Sequence, residues 1–460
     1  MMTRLLLSRA LAVAVTLFGI YAAAQDTRKV SEPSIPPVCA VLQAELGAPN
    51  GIDPQYEGHL DTVRIQQAID NCNKGGAVDL VRAAGHASFL TGPIQLRKNV
   101  TLLIDKGVVL YGSRNPRVYD KTPNACGKVN DEKAGCKPLI EAKRASHSGI
   151  MGEGVIDGRG GAKLLVDNVD QEKTWWDLAE DARKAGRQQV PRLIDTDYTD
   201  DFTLYRITLK NSANFHLAFH HGNGLTVWGI KIDTPQKSRN TDGIDPSRAK
   251  NVTITQSYIR AGDDNVAIKA NEGGSKNISV IHNHFYWGHG MSIGSETLGG
   301  VNAVLVQDLS LDGPDNGIRI KSNPTRGGLV KNITYEDVCI RKSKAPITLE
   351  TAYAKVKENK KKEPVYEDIL LRNVRVSGGG KLQLLGLDAT HRITIQFDGV
   401  QLFDPNAKYK FAAAHADILM GPGPVNFQLY GEDSSVKGKL GSADQPPSSC
   451  DAKFVPFPSE

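Results

Sequence analysis

From Asp201 onward, apolar and polar positions alternate in short β-branched runs, each opened by glycine or a polar residue. The runs recur as DFTLYRITL (from Asp201), GLTVWGIKI (Gly224), NVTITQSYI (Asn251), NISVIHNHF (Asn277), NAVLVQDLS (Asn302), NITYEDVCI (Asn332), DILLRNVRV (Asp368) and RITIQFDGV (Arg392). A period of two predicts strands, and no helical spacing of ten or more residues intervenes between units. The unit starts lie 23 to 36 residues apart, a repeat length that marks a solenoid. One such unit cannot bury its own apolar face, so the units must stack. The expected fold is all-β, a single-domain right-handed parallel β-helix with rungs ~4.8 Å apart. The LxxLxL signature of leucine-rich repeats is absent.

Asn99, Asn251, Asn277 and Asn332 each open an N-x-S/T triplet. Glycosylation is one reading. Their recurrence at strand starts favours the other, in which Asn fills a turn. Helical patterning is confined to Val63–Asn71, behind an Asp/Thr cap, and to Trp175–Lys184. The first is expected to cover the N-terminal end of the coil, where bare strand edges and apolar side chains would otherwise face water.

Arg4 and Arg9, an apolar run from Ala10 to Ile20 and a small-residue stretch ending at Ala24 read as a secretory signal peptide. The division is residues 1–24 as leader and 25–460 as one β-helical catalytic domain, exported, soluble and monomeric. The run is too short to span a bilayer, which takes about 20 apolar residues, so no membrane partner is expected. The formal charge of +5 becomes +3 without Arg4 and Arg9. That mild excess suits an acidic polymer, whereas nucleic acid binding calls for a denser basic stripe. The one strongly basic run, Lys355–Lys362, reads as a solvated loop, or else as an attractor of acidic polymer. Six cysteines in an exported chain allow disulfides. Cys126 with Cys136 and Cys39 with Cys72 are the expected pairs, Cys339 and Cys450 stay unassigned, and no tight CxxC pair suggests zinc.

Four polar clusters punctuate the units: NTDGID (Asn240–Asp245), GDDN (Gly262–Asn265), GHG (Gly288–Gly290) and RIK (Arg319–Lys321). Asp264, His289 and Arg319 each lie 13 residues ahead of a unit start, at Asn277, Asn302 and Asn332. Equal phase on consecutive rungs would gather them within roughly 10 Å. The phase of Asp242 is not fixed by counting. Turn-filling accounts for Asp, Asn and Gly, but not for a His, an Arg and a Lys. Adjacent strand residues face opposite ways, so Asp263 and Asp264 share a cleft only if the chain bends, and Gly262 offers the freedom to bend. An Asp pair also suits calcium, yet the neighbouring cations occupy the place of the metal's charge; no cofactor and no metal are expected. Crowded carboxylates support glycoside hydrolysis, in which one protonates the leaving oxygen while another activates water. Mutual repulsion should keep a proton on one of them. Arg319 and Lys321 either grip a substrate carboxylate or form structural salt bridges to the Asp cluster.

In this order the four clusters resemble the signature of polygalacturonases, glycoside hydrolase family 28, and are most similar to its bacterial endo-acting members. The likeness extends to GPIQL at Gly92, LLIDKGV at Leu102, GVIDGRGG at Gly154 and GMSIGSE at Gly290. It implies metal-free hydrolysis of α-1,4-linked galacturonan with inversion. By the same resemblance Asp263 is the general acid, Asp242 and Asp264 position and activate water, and His289 supports the acid's protonation and contacts substrate. Arg319 and Lys321 hold the galacturonate carboxylate, while Asn240 and Tyr353 contact sugar. Fungal members place Cys where this chain has Asn265. The competing functions are a calcium-dependent pectate lyase, an exo-acting hydrolase and a noncatalytic polysaccharide-binding β-helix. The short steps around the clusters leave little chain to wall off the groove, which favours endo action.

Overall fold

The structure, a computed structural model, describes residues 25–47, 51–72, 75–133, 135–167, 169–354, 362–404, 406–438 and 450–459. The expected leader and all of the basic run except Lys362 lie outside the described residues. The chain forms a parallel β-helix, built on one sheet of 22 strands and one of 12. In the larger sheet, Ile254, Val280, Val306, Tyr335, Leu371 and Phe397 stand in register from rung to rung. All of these side chains are buried, so each unit hides its apolar face against its neighbours.

Six of the eight unit starts share a backbone conformation, Asn302 and Arg392 being the exceptions. Asp201, Gly224, Asn251, Asn277, Asn332 and Asp368 all have φ between 50° and 97°, the left-handed region in which Asn, Asp and Gly are least strained. Asn251 donates to Asn223 at 2.8 Å and Asn277 to Asn251 at 3.2 Å, while Asn332 donates to Asn302 at 2.7 Å. The triplet asparagines therefore have a turn function. The fifth unit departs from the expected start: Ala303, at φ 60°, takes this place, and Asn302 pairs with Lys331.

Helix α1 (Thr62–Asn71) buries Ile65 and Ile69 over the N-terminal end. Asp61 does not cap it as expected. Its carboxylate accepts instead from Leu90 N at 2.8 Å, tying the helix entry to a strand. Helix α2 is shorter than its pattern, Trp175–Asp181, and is held by a reciprocal Thr174–Asp177 capping box. Both expected disulfides form, and Cys339 joins Cys450. Among the described residues no helix is long and apolar enough to cross a membrane.

The 12-stranded sheet carries the clusters. Its central strands are β1 (Ile140–Lys143), β2 (Ile194–Asp197), β3 (Leu217–His220), β4 (Ile244–Ser247), β5 (Val266–Ile268), β6 (Met291–Gly294), β7 (Asn316–Lys321) and β8 (Ala345–Glu350), each parallel to the next. Ile244, Val266, Met291, Ile318 and Ile347 form one buried column of this sheet. The alternate positions, among them Asp245, Ser292 and Arg319, stand on the opposite face.

Candidate active site

Asp242, Asp264 and His289 each precede by two residues a member of the Ile244–Val266–Met291 column. They occupy the turns that lead into β4, β5 and β6, and Asp242 thereby shares the phase that counting left open. Arg319 does not share it: it stands one residue past Ile318, in register with Ser292. The return turns between the two sheets lengthen from rung to rung, so equal distance to the next unit start does not preserve position in this sheet. Arg319 reaches the cluster from the strand rather than from the turn.

The bend at GDDN has a different origin from the expected one. A Cβ on Gly262 would sit 1.9 Å from Ser238 O. Close backbone contact, not an unusual φ, demands glycine there. The Gly262 amide donates to Thr241 Oγ1 at 2.9 Å, and the Asp264 amide to Asp263 Oδ1 at 3.0 Å. Gly288, at φ 135°, lets the GHG turn close over Asp263 and Asn265. Asn265 is fully used: it donates to Ile259 O and Trp287 O and accepts from Gly290 N at 2.9 Å. These bonds clamp three turns together.

Both members of the Asp pair reach the cleft. Asp263 Oδ1 lies 2.8 Å from His289 Nδ1. Asp264 accepts from Lys321 Nζ and Ser292 Oγ, each at 2.7 Å, and lies 3.8 Å from Arg319 Nη1. Lys321 is thus paired within the protein. Arg319 is held more loosely, between Asp264 and Glu350 (3.7 Å), and its buried Nε has no partner. The Tyr353 ring lies 5.2 Å from the Arg319 guanidinium and 5.3 Å from Lys321 Nζ, which brings it to the same side. Asn240, at φ 57° and half-buried, sits in the turn of Asp242; among the described residues its side chain makes no hydrogen bond.

Two participants escaped sequence reasoning. Lys269, just beyond β5, lies 3.3 Å from Asp242 Oδ2, bonds Asp245 Oδ2, and stands 4.3 Å over the Phe215 ring. Asp242 Oδ1 and Asp245 Oδ1 are buried without partners. The available signal was alternation, since Asp245 and Lys269 are the polar positions following Ile244 and Ile268.

Burial, with Asp245 beside it, pushes Asp242 well above the ordinary carboxylate range, against the pull of Lys269. Burial likewise lifts Asp245 to about 6, again opposed by Lys269. Asp263 goes the other way. Burial would raise it, but the hydrogen bond and charge of His289 outweigh burial and hold it below the usual range. Burial would lower the His289 imidazole, and its bond to Asp263 raises it instead. The crowding expected to keep a proton on the Asp pair acts on Asp242 and Asp245, because only Asp263 has an imidazolium partner.

Asp263, Asp264 and His289 each bring a potential ligand atom within 4.8 Å of the others. That is three ligands for an ion, with the Lys321 ammonium already on one of them, against the six to eight oxygens that calcium takes. The arrangement offers one proton shared by an acid–imidazole pair, ionisable carboxylates opposite it, and a loosely held guanidinium for an anion.

The family description "Glycosyl hydrolases family 28" matches residues 72–416. The chain is 43% identical to an endo-polygalacturonase of Pectobacterium carotovorum subsp. carotovorum over 86% of its own length and 94% of the relative's. A polygalacturonase of Ralstonia solanacearum is 38% identical, with 94% of this chain and 93% of that one covered. The solved polygalacturonase of Erwinia carotovora ssp. carotovora superposes with a TM-score of 0.78 at 40% identity, covering 86% of this chain and 100% of the other.

Proposed function

The chain belongs to glycosyl hydrolases family 28, and from that premise we propose that it is an exported enzyme hydrolysing internal α-1,4 bonds of polygalacturonate with inversion. The observation that carries this reading is the contact of Asp263 with His289 beside Asp242, Asp264 and the loosely held Arg319. The Asp263–His289 pair binds one proton between its two members. At rest that proton lies on the imidazole. An arriving galacturonate adds negative charge beside the pair and raises Asp263, which then protonates the leaving oxygen as general acid.

Asp242 and Asp264 hold the attacking water from the other side. Lys321 donates to Asp264 and Lys269 to Asp242 Oδ2, opposing the burial that raises Asp242 and leaving its Oδ1 without a protein partner. Arg319, backed by Tyr353, takes the substrate carboxylate in a charge-assisted bond. Asn240 contacts a neighbouring sugar. No step calls on a metal. Disulfides at three sites accord with export to an oxidising compartment.

The test is product size over time on demethylated pectate. Internal cleavage gives a ladder of mid-length oligomers from the first minutes; monomer or dimer alone from the start indicates exo action, and products absorbing as unsaturated uronates indicate a lyase.

A further inference from the structure

One fully buried imidazole takes no part in the chemistry above. His216, in the turn that leads into β3, and Thr234, in the return turn ahead of Asp242, are both closed to solvent. The His216 amide and its Nδ1 both reach the main-chain oxygen of Asp242, at 2.8 and 3.0 Å. A carbonyl can only accept, so the ring proton sits on Nδ1. Burial keeps the ring neutral, with its pKa down to about 4, and Nε2 is left as an acceptor. It takes the Thr234 hydroxyl at 2.8 Å.

Thr234 is used a second time. Its carbonyl oxygen accepts from Trp287 Nε1 at 2.9 Å. Ile232 pairs with Ile259, and Ile259 with Phe285, so Thr234 and Trp287, each two residues further on, stand two rungs or about 10 Å apart. The indole reaches back across the rung of Asp263 and Asp264. Trp287 immediately precedes the GHG turn of His289, and its own carbonyl accepts from Asn265 at 3.1 Å.

These bonds form a bracket. One end grips the turn of Asp242, the other the turn of His289, and the turn of the Asp pair lies between them. The two ends carry opposed halves of the reaction, because His289 holds the acid Asp263 while Asp242 holds water. Inversion requires a fixed gap between acid and base, wide enough for one water. Satisfying buried polar atoms accounts for each bond singly. It does not require that one threonine join these two turns.

We propose that His216, Thr234 and Trp287 are positioning residues that set the separation between the acid side of the cleft, Asp263 with His289, and the water-holding side, Asp242. The proposal rests on the polygalacturonate reading above. His216 and Thr234 are closed to solvent and cannot touch sugar, so loosening the bracket changes the chemical step and not the hold on substrate, which Arg319 keeps.

The experiment measures kcat and KM on polygalacturonate, well below each thermal midpoint, for the full-length protein, Thr234→Val, Thr234→Ser, Trp287→Phe and the Thr234→Val, Trp287→Phe double variant. The first change keeps the shape and deletes the hydroxyl; the third deletes the indole N–H. Because a misplacement of about 1 Å can cost ~10²-fold, kcat is expected to fall about tenfold in Thr234→Val and in Trp287→Phe, with KM held within about twofold. Thr234→Ser should recover kcat to within about twofold of wild type, and the double variant should be no slower than the worse single one, since one link cannot be cut twice. A lower midpoint with kcat unchanged marks the bonds as structural only and overturns the proposal. A rise in KM at constant kcat, or a double loss equal to the product of the single losses, overturns it as well. Trp287 is half-buried, so its variant decides the matter if Thr234→Val loses its far-UV spectrum. Failure of the wild-type protein to release reducing ends contradicts the parent reading instead.

Discussion

His289 Nδ1 stands 2.8 Å from Asp263 Oδ1, across a single step of the coil, so that an imidazole and a carboxylate share one proton at the edge of the cleft. Their direct contact makes this pair, rather than either residue, the titrating unit. Asp263→Asn keeps the shape and removes the acid. Hydrolysis of polygalacturonate is expected to fall by about 10² to 10⁴, with the far-UV spectrum unchanged; substantial residual rate would move the acid role elsewhere.

His289→Gln removes the proton reservoir while leaving Asp263 free to titrate. The alkaline limb of kcat/KM, set in the wild type by loss of the pair's proton above the ordinary histidine range, should move to lower pH. A pH–rate series on both proteins checks this.

Lys269 opposes the burial that raises Asp242. In Lys269→Met that opposition is gone, Asp242 rises further, and the ionised base appears only at higher pH. The acid limb of kcat/KM should shift upward, and Lys269→Arg should restore most of the wild-type profile. An unchanged acid limb would show that Asp242 is not the group titrating there.

The raised Asp245 makes stability depend on pH. Its carboxyl goes from 3.8 in the ordinary state to about 6 in the fold, so its stabilising effect is complete below pH ~4 and is lost as pH rises through about 6. Asp263, held low by His289, acts oppositely and loses its contribution as pH falls through the acid range. Thermal midpoints should therefore be highest in mildly acidic buffer, and Asp245→Asn should flatten the decline between pH ~4 and about 6.

Cys339 and Cys450 close a loop of 111 residues around the C-terminal coils. They pin a tail in which Phe454 lies under Arg341 and Phe457 under Arg260, while Tyr286 donates to Val455 O at 3.0 Å. Replacing both with Ser is expected to cost about 4 kcal/mol, read as a lower thermal midpoint with catalysis at low temperature intact.

The coil was legible because its period is carried by residues with local consequences. Asn251, Asn277 and Asn332 mark the left-handed starts, and the β-branched runs mark the strands. The turn residues Asp242, Asp263, Asp264 and His289 were legible for the same reason. Arg319 was found as a participant but misplaced, since its position depends on which residue of β6 lies beneath it, and the lengths of intervening turns set that. Lys269 and Asp245 were not singled out, because a polar side chain on the outer face of a strand looks the same in sequence whether it meets water or a carboxylate on the next rung. The pairing of Cys339 with Cys450 was hidden because only the packed tail brings them together.

The central claim is that Asp263 protonates the leaving oxygen while Asp242 and Asp264 hold a water on the opposite face of the sugar. Proton NMR of polygalacturonate during the first turnovers tests it most directly, by recording the anomeric form of each new reducing end before mutarotation. The account predicts β-anomers from α-linked substrate, absent in Asp263→Asn; initial α-anomers, or unsaturated ends, would contradict it.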